Sequence, residues 1–102
     1  MCGAQNPNDA NGLIESLRPA LNAIAALKIM ALDQCHTELQ YILDHKVTDS
    51  ARIEALFDRL LDFFDDEEFM TLFWTLISYV EQFDPGISVF YRRMEELLQK
   101  DA

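Results

Sequence analysis

A chain of 102 residues, half of them hydrophobic, has enough apolar material for one small core and too little length for a second. Eighteen acids against eight bases leave a formal net charge of −10, which disfavours phosphate backbones and anionic lipid headgroups as direct partners and favours a protein with a basic surface. Two cysteines, Cys2 and Cys35, are too few for a disulfide framework, so two free thiols in a reducing compartment are expected.

The opening MCGAQNPNDANG has neither the basic start nor the apolar centre of a signal peptide. The longest uncharged run, residues 69–80, is twelve residues long. A membrane helix needs about 20, so a cytoplasmic protein that does not enter membranes is expected. Residues 1–11 are rich in Asn, Gly and Pro and should be loosely ordered; residues 12–102 should form one helical-bundle domain.

From Leu13 to about Lys46 the pattern is helical, with Leu13, Leu17, Leu21, Ile24, Ala31, Cys35, Leu39 and Ile42 on one broad face. Pro19 lacks an amide for the preceding turn, so either a short first segment ends near Leu17 and the helix restarts with Pro19 in its first turn, the reading favoured, or one helix kinks there. Behind the main face, Ala23, Leu27, Met30, Gln34, Thr37 and Tyr41 follow the alternating four-three spacing of a heptad seam. Leu27 and Met30 are therefore candidate contact residues. Either the shorter helices cover both stripes or the seam pairs two copies of the chain.

Asp49 or Ser50 can cap a second helix, in which Ile53, Leu56, Phe57, Leu60, Leu61 and Phe64 repeat at helical spacing as far as about Asp65. Its polar side is divided. Glu54, Asp58, Asp62 and Asp65 rise along one flank, while Arg52 and Arg59 lie near the opposite edge. Like charges four apart cost about 0.2–0.5 kcal/mol per pair. The acidic flank is accordingly read as a docking face for a basic protein surface, its steps of about 6 Å resembling a row of phosphates. Exchanging Asp58 and Asp62 for Lys should leave the fold intact or slightly firmer, because repulsive pairs become attractive.

Asp65 with Glu68 has capping-box spacing, which makes the acidic run at 65–68 a helix start. The third helix, about Glu67 to Phe83, carries Phe69, Phe73, Leu76 and Val80 on one stripe and Met70, Trp74 and Ile77 on another flank. That trio is either a partner or dimer surface or the second side of a central helix covered by the first. Asp84-Pro85 opens a fourth helix as cap and first residue, with Ile87, Phe90, Tyr91, Met94, Leu97 and Leu98 as its apolar stripe.

No strand or hairpin pattern competes, so the fold expected is all-α: an antiparallel helical bundle, one long N-terminal helix packed by three shorter ones. Catalytic chemistry is poorly supplied. His36 and His45 are nine residues apart, half a turn out of phase, and cannot share a metal on one helix. Cys35 and His36 diverge by about 100°, so their adjacency makes no dyad. No metal, no cofactor and no enzymatic activity are expected. The reading is a small acidic protein-binding module of inhibitor, immunity or regulatory type, with a homodimeric accessory subunit as the alternative.

Overall fold

The computed structural model describes residues 7–101, with side chains described from Leu17 onward. Four helices follow in order: α1 (Pro7–His45), α2 (Ser50–Leu61), α3 (Glu67–Val80) and α4 (Pro85–Asp101). The described residues contain no strand, and the helices pack on one another as an all-α bundle. The chain divides into two units, Met1–Ala31 and Leu32–Ala102.

α1 runs unbroken through Pro19, which corrects the expected restart. Proline's φ near −65° is itself helical; what it removes is one amide donor and clearance for the preceding turn. The helix also begins at Pro7, six residues ahead of Leu13. Proline suits that first position because the amide it lacks would have no partner there.

Local chemistry sets the other ends. α1 stops where Lys46 turns into the left-handed region at φ 51°. There the Val47 amide donates to the Ile42 carbonyl at 3.0 Å and the Lys46 amide to Leu43 at 3.4 Å, the paired bonds of a Schellman close. Tyr79 of α3 pins the connection by donating its hydroxyl to the Val47 carbonyl at 2.6 Å. Asp49 caps α2, accepting from the Ala51 amide.

α2 ends at Leu61, earlier than the expected Asp65, because the next residues tighten into i to i−3 turns. The Phe63 amide donates to Leu60 at 3.1 Å and that of Phe64 to Leu61 at 3.2 Å. This turn leaves Asp66 extended at φ −105°, so Asp66 rather than Asp65 caps α3, accepting from the Glu68 and Phe69 amides. α4 opens as expected, with Asp84 Oδ1 accepting from Ile87 and Pro85 in the first helical position.

In the unit Leu32–Ala102 the core is built from Cys35, Leu39 and Ile42 of α1, Ile53, Leu56, Phe57 and Leu60 of α2, and Phe69, Phe73, Leu76, Ile77 and Val80 of α3. Phe57 is the hub, edge-on to Phe73 at 5.4 Å and stacked on Tyr91 of α4 at 4.4 Å. α4 contributes less than its apolar stripe promised. Tyr91 and Ser88 are buried, whereas Phe90, Met94 and Leu97 stay exposed.

In the unit Met1–Ala31 every described side chain from Leu17 to Met30 is exposed. The large apolar ones, Leu17, Leu21, Ile24, Leu27, Ile29 and Met30, lie between 49% and 68% accessible. Of the main face, Cys35, Leu39 and Ile42 are buried; all six residues of the heptad seam are exposed.

Candidate functional site

The divided polar side of α2 has partners on both sides. Arg52 grips Glu38 of α1 with two hydrogen bonds, Nε to Oε2 at 2.6 Å and Nη2 to Oε1 at 3.0 Å. Its guanidinium also lies 4.1 Å over the Tyr41 ring, which stacks on His45. The hydrogen bond from Arg52 holds the Glu38 carboxyl below the usual carboxylate range, with the charges of Arg52 and Arg59 in support. On the acidic flank, Asp58 accepts the Tyr91 hydroxyl of α4 at 3.0 Å. Burial, then the hydrogen bond and charge of Asp58 and the charge of Glu54, push the Tyr91 phenol well above its ordinary range.

Part of the segregation read as a sign of a partner thus has an intramolecular cause: Arg52 faces α1 and Asp58 faces α4. This also corrects the expectation for the Asp58 and Asp62 exchange. Lys at 58 loses the bond to Tyr91, so only Asp62, exposed and on the solvent side, offers a change of charge alone.

Asp58 and Asp62 line a surface groove of about 470 Å³ together with Leu61, Phe64, Met94 and Leu98. Its apolar lining comes from the end of α2, the turn that follows it and α4, and its acids from α2 and its C-cap. Two bonds fix the walls: Tyr91 to Asp58, and Gln99 Nε2 to the Phe64 carbonyl at 2.9 Å, eight residues, or about 12 Å of helix rise, further along α4. Of the four acids singled out from sequence, Glu54 is half-buried and Asp65 exposed, and neither lines the groove. In the sequence Met94 and Leu98 belong to the apolar stripe of the fourth helix. Their contribution depends on how far α4 sits from α2, for which the sequence carried no signal.

The apolar trio of α3 is divided. Ile77 is 1% exposed and belongs to the core, which corrects its assignment to a contact surface. It follows Phe73 by four residues and so shares that residue's buried stripe. Met70 is half-buried, and Trp74 is 42% exposed with its ring edge-on to Phe73 at 5.0 Å. Leu27 and Met30, the candidates on α1, are both exposed.

Other chemistry is sparse. A cavity of about 230 Å³ is lined by Leu32, His36, Glu68, Thr71 and Leu72, which brings one imidazole near one carboxylate. Among the described residues no group of three or more His, Cys, Asp or Glu is placed to hold a metal ion. Burial pushes the Cys35 thiol up, against a smaller opposite effect of Arg59, and His36 beside it in sequence is exposed. Cys2 lies outside the described residues. No helix among them is long and apolar enough to cross a membrane. Compared with known protein families, curated proteins and solved structures, the chain matches none.

Proposed function

We propose that the protein is a non-enzymatic interaction module of the cytoplasm that takes a cationic amphipathic helix of a protein partner into the groove between α2 and α4. One observation carries this reading: Asp58 and Asp62 line the same groove as Leu61, Phe64, Met94 and Leu98. A helix laid in a groove is recognised by apolar anchors at i, i+3 or i+4 and i+7, and charges at the rim steer it and fix its register. The groove supplies both elements. A duplex-like row of phosphates would account for the acids alone and leave the apolar floor without a purpose, so helix capture fits better than mimicry of nucleic acid.

The test is a titration of the full chain with a labelled amphipathic peptide of Leu and Lys, followed by anisotropy at several salt concentrations. Asp62→Lys should weaken binding about tenfold at low salt, roughly 1.4 kcal/mol, and flatten its salt dependence. A Leu and Glu peptide should not bind. Equal affinity of parent and Asp62→Lys for the cationic peptide at low salt would remove the groove from the account.

A further inference from the structure

Three large apolar side chains of α4, Phe90, Met94 and Leu97, stay 56%, 37% and 46% exposed and follow the four-three spacing of a heptad seam. At 100° per residue they fall within about 60° of one another, beside the line of buried Tyr91. The two edges of this seam carry opposite charge. On the Tyr91 edge stand two carboxylates, Asp58, which accepts the Tyr91 hydroxyl at 3.0 Å, and Asp62, which lines the groove with Met94. On the other edge, about 60–80° round from Phe90, come Arg93 and Lys100 of α4 itself. Glu96 lies further round and 4.0 Å from Arg93, a loose pair whose side chains are 73% and 69% exposed. All of these residues belong to the unit Leu32–Ala102.

Along this face α2 and α4 run the same way, since Tyr91 meets Asp58 and Gln99 meets Phe64. Asp62 therefore falls between the levels of Tyr91 and Gln99, an interval that also holds Arg93. A cover for the seam has to answer both edges at once. A cationic helix broad enough to span it would suit Asp58 and Asp62 but lie against Arg93 and Lys100, and a phosphate-rich surface would meet the reverse conflict. A second copy of the same face resolves both. A two-fold axis running along α4 sets the two helices parallel, seam on seam, and turns the basic edge of each copy toward the acidic edge of the other. An axis across α4 would make the helices antiparallel and bring like charges together, so charge selects the parallel arrangement.

We infer that the chain forms a parallel homodimer through α4, with Phe90, Met94 and Leu97 packed on their counterparts and Arg93 of each copy facing Asp62 of the other. This surface goes beyond the groove reading: it shares Met94 and the acids with the groove, but Phe90 and Leu97 lie outside it. A stable interface takes about 20–30 residues a side, and a three-residue seam with charged edges is smaller, so the dimer dissociates on dilution.

Sedimentation equilibrium of the full chain over a range of concentrations tests it. The mass should rise from 11.8 kDa toward twice that value. Phe90→Asp with Leu97→Asp, at exposed positions outside the groove, should hold the protein at the chain mass with an unchanged circular dichroism spectrum. Asp62→Arg exchanges one negative for one positive charge and takes the net charge from −10 to −8, which by overall repulsion alone would favour association. Pairing with Arg93 predicts the reverse, a dissociation constant at least about tenfold higher, because two symmetry-related contacts become repulsive. Adding Arg93→Asp to the same chain should restore the parent's association, since the charges are then exchanged on both edges. A parent still monomeric at about 1 mM, a folded seam variant that dimerises, or an Asp62→Arg chain that associates as well as the parent overturns the inference, as does failure of the double exchange to rescue. Should the seam variant lose its fold, the exchange of Asp62 and Arg93 reads the same interface without it. The Leu and Lys peptide separates the two readings. Its binding to a parent that never dimerises removes the dimer and leaves the groove; its failure to bind the monomeric seam variant removes the groove and leaves the dimer.

Discussion

Tyr91→Phe isolates the contact that orients the acidic wall of the groove. The ring remains, so its stacking on Phe57 at 4.4 Å is kept and only the hydroxyl bond to Asp58 at 3.0 Å is lost. A hydrogen bond to a charged group contributes about 1.5–3 kcal/mol at most, but Asp58 is exposed and regains water when the bond goes. The loss should therefore be about 1 kcal/mol, which for a unit of this size lowers the melting temperature by roughly 4–8 °C. Asp58→Ala combined with Tyr91→Phe should show a coupling of similar size in a double-mutant cycle. The alkaline limb reads the burial of the phenol first and the bond to Asp58 second. Because folding raises the Tyr91 pKa, its contribution is complete below the unfolded value of about 10 and is lost as pH rises toward the folded one. The parent should thus lose its advantage above about pH 10 and fall below the variant, which has no phenol to ionise. A variant that melts with the parent at neutral pH would refute the bond, and one that shares its alkaline slope would refute the burial of the phenol.

Leu60→Ala should cost about 2–5 kcal/mol in denaturant unfolding, since Leu60 is fully buried between helices and truncation leaves a cavity; a change within error would contradict the assigned core. Arg52→Met should release the Glu38 carboxyl toward its ordinary range. Because folding lowers that pKa, the parent's advantage is present above the unfolded value of about 4.3 and fades as pH falls through the folded one, so parent and variant acid-unfolding curves should merge at low pH. Ser88→Ala removes a buried hydroxyl that has no hydrogen-bond partner and should leave stability unchanged or raise it by up to about 1 kcal/mol, read from the same denaturant curves.

What could be read from the sequence was what local chemistry decides. A cap at Asp49 or Ser50, Asp84-Pro85 as a helix start and the Ile53, Phe57, Leu60 phase of α2 depend on residues a turn or less apart. The Asp66 cap was missed by one residue because the turn through Phe63 and Phe64, anchored by Gln99 from 35 residues away, decides which acid is extended. Charge segregation on α2 was visible, but its cause was not. Arg52 meets Glu38 across 14 residues and Asp58 meets Tyr91 across 33, separations that no periodicity reports. Likewise, helical spacing placed Leu21, Leu27 and Met30 on stripes without saying that they stay exposed, or that Ile77 does not. Burial is a property of neighbours.

Backbone amide shifts recorded during titration with the cationic amphipathic peptide test the central claim most directly. Helix capture predicts saturable changes that cluster at Asp58, Asp62, Phe64, Met94 and Leu98 and fade as salt is raised. Changes confined to the Met70 and Trp74 flank, or none at the groove with the peptide in excess, would contradict it.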